Sequence, residues 1–154
     1  MAFWLLKTEP ESFGIDHLAA LPRRTAAWDG VRNYQARNFL RDDVRRGDAA
    51  LLYHSSCAVP GVAGIARVVR ASYPDPTALD RRDPHFDPSA SVEEPRWFCV
   101  DLRLVRTCRR VIALSDLRAH AQRELRGFML LQKGCRLSVM PIATHQFDFI
   151  LTLE

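Results

Sequence analysis

Two long runs rich in β-branched residues, Val62–Tyr73 and Trp97–Val111, stand either side of a segment, Pro74–Pro95, that holds five of the chain's nine prolines. Such runs pack poorly as helix and well on a pleated surface. In the second run Phe98, Val100, Leu102 and Leu104 fall on one face, and Trp97, Asp101 and Arg103 on the other. Shorter strands are expected at Phe3–Leu6, Thr25–Trp28, Ala49–Tyr53 and Arg136–Met140, the last stopped by Pro141. Helices are expected over Ser12–Ala20, Asn33–Val44, Ser115–Gln122 and Thr144–Leu153, with a further one around Leu125–Leu131. Strands at irregular spacing, helices at the ends and one long loop point to a small barrel in an α+β domain. A loop as long as Pro74–Pro95 in a small domain is often functional.

The length of 154 residues fits one domain, 1–154, with a core of its own. No stretch approaches the ~20 apolar residues of a membrane helix. Met1–Leu6 lacks a basic region and runs straight into Lys7 and Glu9, so no signal peptide is expected. Cys57, Cys99, Cys108 and Cys135 show no CxxC spacing, and the histidines His17, His54, His85, His120 and His145 show no i, i+4 pair. Neither metal nor cofactor is therefore expected, and four reduced thiols fit a cytoplasmic, bacterial protein. His54 with Cys57 hints at a thiol–imidazole pair, though a polar loop explains the two more simply. Asp80, Asp83 and Asp87, mixed with proline and arginine, read as solvated loop.

The net charge of +4 suits a polyanion without demanding one. Arginine supplies 20 of the 22 basic residues, leaving only Lys7 and Lys133, an excess that codon usage explains equally well. On the Asn33–Val44 helix, Arg37, Arg41 and Arg45 recur at i, i+4, i+8, the spacing of a stripe along a phosphate backbone or of a solvated face. Trp4, Trp28 and Trp97 lie at strand or loop edges, where a tryptophan stacks on a base or joins the core. Alternation sets Arg136 and Ser138 on one face, away from Leu137 and Val139.

Several blocks resemble signatures of the EVE family. The longest is Trp28-Asp29-Gly30-Val31-Arg32-Asn33-Tyr34-Gln35-Ala36-Arg37-Asn38. Trp4–Pro10, Tyr53-His54-Ser55, Tyr73-Pro74-Asp75-Pro76, Pro95-Arg96-Trp97 and Arg136–Pro141 follow the family order around it. The chain departs at Thr8, Ser56 and Met140, where serine, asparagine and glutamine are common, which leaves the preferred mark open. The resemblance implies an α+β, PUA-like small mixed β-barrel of about five to six strands flanked by short helices. It further implies a monomeric module that reads a modified base in DNA or RNA, alone or beside a nuclease or RNA-modification system. On that resemblance the base contacts are Lys7, Thr8, Trp28, Asp29, Val31, Asn33, Tyr53, His54, Ser55, Trp97, Arg136 and Ser138. Arg32, Arg37, Arg41 and Arg45 are the phosphate contacts. Trp28 and Trp97 form the aromatic wall, and no residue is catalytic. The alternative is an ASCH-like RNA nuclease or nucleotide hydrolase using Lys7, His54 and Asp29.

Overall fold

The computed structural model describes all residues, 1–154. Six strands form one sheet: β1 (Phe3–Thr8), β2 (Thr25–Trp28), β3 (Ala49–His54), β4 (Gly61–Pro74), β5 (Phe98–Ala113) and β6 (Val139–Ile142), in the order β2-β5-β4-β3-β1-β6. Only β1 and β3 run parallel; every other pair is antiparallel. Short helices flank the sheet: α1 (Pro10–Phe13), α2 (Ile15–Ala20), α3 (Tyr34–Asn38), α4 (Leu114–Arg118) and α5 (Thr144–Leu151). None is long and apolar enough to cross a membrane. This is the expected α+β, PUA-like arrangement, but its ring of strands is not closed: β2 and β6 end the ladder unpaired with each other.

The sheet is built around β3, which is apolar along nearly its whole length because both its faces are covered. The β4–β5 pair is the longest, and its register slips at four places between Val62 and Tyr73. Each slip adds twist and bends the pair. Gly64 sits at one of these bends. A Cβ there would lie 2.1 Å from Ile15 Cδ1 and 2.8 Å from the Arg106 carbonyl oxygen. The isoleucine end can turn away, but the strand carbonyl cannot. Gly64→Ala should therefore cost about 1–3 kcal/mol of overpacking, read as a lower urea midpoint. An unchanged midpoint would mean that β4 and β5 part at this point without cost.

Local chemistry moves several boundaries. Gly14 divides the expected Ser12–Ala20 helix, and two histidines serve its second half: His17 Nδ1 accepts from Gly14 N at 2.8 Å, and His54 Nε2 from Ile15 N at 3.1 Å. Asn33 caps α3 as expected, its Oδ1 accepting from Ala36 N at 3.0 Å. After Asn38 the helix widens into a π turn, Phe39–Asp43. Asp48 then holds the exit, accepting from Arg45 N, Trp4 Nε1 and Ala2 N, each at 2.9 Å. The expected helix around Leu125–Leu131 is only a 3₁₀ turn, Met129–Leu131. Pro141 does not stop β6 but lies inside it, opposite Trp4, which an edge strand tolerates because a missing N–H can face outward.

Candidate nucleic-acid interface

The unclosed seam of the sheet is occupied by a cavity of about 650 Å³. Ala27 and Trp28 of β2 form one wall, and Arg136 and Ser138, leading into β6, form the opposite one. Lys7 and Thr8 from the end of β1, with Ser55, form part of the lining. Pairing holds these pieces in place: Lys7 N donates to the Ser138 carbonyl at 2.9 Å, and Ser55 N to the Thr8 carbonyl at 2.9 Å.

The turn Asp29–Arg32 is held by one carboxylate. Asp75 is buried, and its two oxygens accept from Gly30 N (2.9 Å), Arg32 Nη1 (3.0 Å), Thr77 N (2.8 Å) and Thr77 Oγ1 (2.6 Å). Burial by itself pushes the Asp75 pKa up, but the hydrogen bonds from Thr77, Gly30 and Arg32 outweigh it and hold the group below the usual carboxylate range. The long loop after Asp75 returns His85 to the turn. A Cβ on Gly30 would stand 2.8 Å from the His85 ring, and Gly30 has φ +79°, so glycine is required on both counts. Asp29 faces the cavity with its pKa raised, first by burial and then by the charges of Asp75 and Asp83, with His85 and Arg32 pulling the other way.

Of the expected base contacts, the structure gathers Lys7, Thr8, Trp28, Asp29, Val31, Ser55, Arg136 and Ser138 around this cavity. The other four lie elsewhere. Asn33 is beyond the cavity's end, with its oxygen used as the helix cap. Tyr53 is buried beneath, its ring centroid 5.9 Å from Lys7 Nζ. His54 has its Nε2 committed to Ile15, and burial lowers its pKa, as suits a neutral acceptor. Trp97 belongs to a separate stack: its ring lies 4.8 Å from Tyr34, Arg32 and Arg37 flank it, and its Nε1 donates to Asp87 at 2.7 Å. Alternation misled here because β5 begins at Phe98, so Trp97 stands before the strand whose faces it was counted on.

The expected phosphate stripe is broken. The π turn ends at Asp43, and Arg45 lies past the helix. Arg41 is paired with Asp42 at 2.7 Å, Arg37 donates to the Arg96 carbonyl, and Arg32 is bound to Asp75, Thr77 and the His85 carbonyl. By contrast, the side chains of Lys7 and Arg136 make no hydrogen bond or ion pair within the chain, and both residues line the cavity. Sequence reasoning missed Phe13, Ser12, Glu9 and His85 in the lining. Phe13 meets Trp28 edge-on at 6.0 Å, making these two the aromatic side of the cavity. The Asp75-Pro76-Thr77 turn had a readable local signal, since an Asp that accepts from the amide two residues on is a common turn device. His85 had none.

A family model described as EVE domain matches residues 2–153. Thymocyte nuclear protein 1 of Homo sapiens is 42% identical over 98% of this chain and 73% of its own length. Among solved structures, a protein from Pseudomonas putida matches with 49% identity and a TM-score of 0.93, over 99% of each chain. A human THYN1 protein in complex with 5-methylcytosine containing DNA matches with 41% identity and a TM-score of 0.94, over 99% of this chain and 97% of that one. The curated relatives correct the expected cytoplasmic, bacterial setting: the counterparts in Homo sapiens, Danio rerio and Mus musculus are eukaryotic and are named as nuclear proteins. Reduced thiols separate oxidising from reducing compartments, and the nucleus and the cytosol are both reducing.

Proposed function

The chain belongs to the EVE domain family, and on that premise we propose that it binds DNA carrying a modified base and holds that base in the seam cavity. The observation that carries the reading is the likeness to the human protein solved with 5-methylcytosine containing DNA, over nearly the full length of both chains. The cavity's chemistry supports it. A base leaves its stack at a cost of a few kcal/mol and must be regripped by apolar contact and by hydrogen bonds to its edge. Trp28 and Phe13 supply the apolar side. Asp29, Thr8 and Ser138 supply acceptors and donors, and Lys7 and Arg136 stand free to meet phosphate. DNA is preferred to RNA on the same likeness.

Fluorescence anisotropy with one duplex, carrying either cytosine or 5-methylcytosine at a single site, tests the reading. The modified duplex should bind tighter, and equal affinities would refute it. The salt series separates the cations. Lys7→Gln and Arg136→Gln should each flatten the slope of log K against log salt by about 0.7–0.9. Arg41→Gln with Arg45→Gln should leave the slope unchanged, because neither side chain faces the cavity. A slope that responds to Arg41 and Arg45 instead would place the phosphate track on the helix.

A further inference from the structure

The seam cavity does not end at Arg136. A second cavity of about 390 Å³ shares that arginine and is lined by Asn33, Gln35, Gln132 and Lys133 among others. The two hollows lie between the same two stretches of chain. Residues 27–32 line the first on one side, and Asn33 and Gln35 continue that wall into the second. Ser138 and Arg136 line the first on the other side, and Leu137 back to Gln132 continue that wall. Sharing Arg136 and the same two walls, the two hollows adjoin, and the second lies to one side of the first, a trough in two parts.

The second hollow differs in chemistry from the first. It has no aromatic side chain. It has three amides, and an amide both donates and accepts, which is what a base edge asks for. The side chains of Gln35, Gln132, Lys133 and Arg136 make no hydrogen bond or ion pair within the chain. Asn33 spends its oxygen on the helix cap and keeps its NH₂. The chain's only two lysines, among 22 basic residues, face this trough, Lys7 in the first cavity and Lys133 in the second. Free ammonium groups spaced along a trough suit consecutive phosphates of one strand.

We propose that the second cavity is a subsite for the nucleotide next to the modified base on the same strand. Gln35 and Gln132 read its base edge, and Lys133 holds the phosphate between them with Arg136. The inference rests on the base-reading proposal above. It makes recognition one-sided: the trough extends from the first cavity in a single direction, so one neighbour is read and the other is not.

Duplexes carrying one 5-methylcytosine, varied through all four bases and an abasic site at each neighbouring position, test this by anisotropy. The parent protein should lose affinity on the order of tenfold when one neighbour, and only one, is made abasic. The Gln35→Ala/Gln132→Ala double variant should become indifferent to that neighbour, at lower overall affinity, while its ratio between modified and unmodified cytosine stays that of the parent. Both glutamines are exposed, so a thermal melt equal to the parent's will show the variant folded. A clear preference for the modified base with no dependence on either neighbour would overturn the subsite and leave the base-reading proposal standing. Neighbour dependence that persists in the double variant would also overturn it. No preference for the modified base at all would end both proposals together.

Discussion

Replacing Asp75 with alanine should loosen the Asp29–Arg32 turn and cost the fold on the order of 3 kcal/mol. The reason is the number of donors that one carboxylate serves. Its side chain is fully buried, and it accepts from Gly30, from Arg32 and twice from Thr77. Alanine removes every acceptor at once and leaves the Gly30 amide and part of the Arg32 guanidinium facing a void. Asp75→Asn keeps one oxygen and turns an NH₂ toward donors, so it should recover only part of the loss. The sign of the pH dependence follows from the lowered carboxyl. Asp75 is held below its ordinary range, so its stabilisation is present above the unfolded value, about pH 4, and is lost as pH falls through the folded value. The gap in urea midpoint between parent and Asp75→Asn should be full at pH 7 and narrow below about pH 4. A gap that does not change down to pH 2 would show that the charge is not what holds the turn.

Trp28→Ala should lower affinity for 5-methylcytosine DNA about tenfold to a hundredfold, the value of a base stacked on an aromatic ring. It should also lower stability by about 3–5 kcal/mol, because Trp28 is 7% exposed and belongs to the core as well as to the cavity wall. Trp28→Phe separates the two effects, keeping an apolar ring against Phe13. It should recover most of the stability and a smaller share of the affinity. Trp97→Ala is the counterpart. Trp97 is just as buried, yet it stacks on Tyr34 away from the cavity, so its loss should depress the melting temperature and leave the preference for modified over unmodified cytosine intact. If Trp97→Ala erased that preference and Trp28→Phe did not touch it, the base would sit on the other tryptophan.

These two tryptophans also show what the sequence could and could not reveal. The strands were legible because their alternation and β-branched content are local, and β2, β3, β4 and β5 fall within a few residues of expectation. The cap at Asn33 was legible for the same reason. The widening of that helix after Asn38 was not, because a π turn reflects how Leu40 and Val44 pack and how Asp48 holds Arg45 N. One extra residue in the turn was enough to dissolve an arginine stripe counted at 3.6 residues per turn. Lys7, the Trp28-Asp29 pair and Ser138 come from places far apart in the chain, and only the family resemblance joined them in advance. Phe13 and His85 carry no motif: Phe13 reaches the cavity from the end of α1, and His85 from the long loop that follows Asp75. Pro141 misled because a proline stops a central strand but not one at the sheet's rim.

The unpaired seam between β2 and β6 bears on how the whole domain responds to its ligand. The walls of the cavity hang from opposite ends of one hydrogen-bonded ladder. Anything that grips both walls acts as a clasp across the gap and converts an open strip into a hoop. Its binding free energy is then shared by every strand between the ends. Mass action sets the size: ligand at a hundred times its dissociation constant stabilises the folded state by about 2.7 kcal/mol. β2 and β6 each leave one edge unpaired, and an edge strand has fewer hydrogen bonds to lose, so a ligand that grips both walls holds the sheet where fraying costs least.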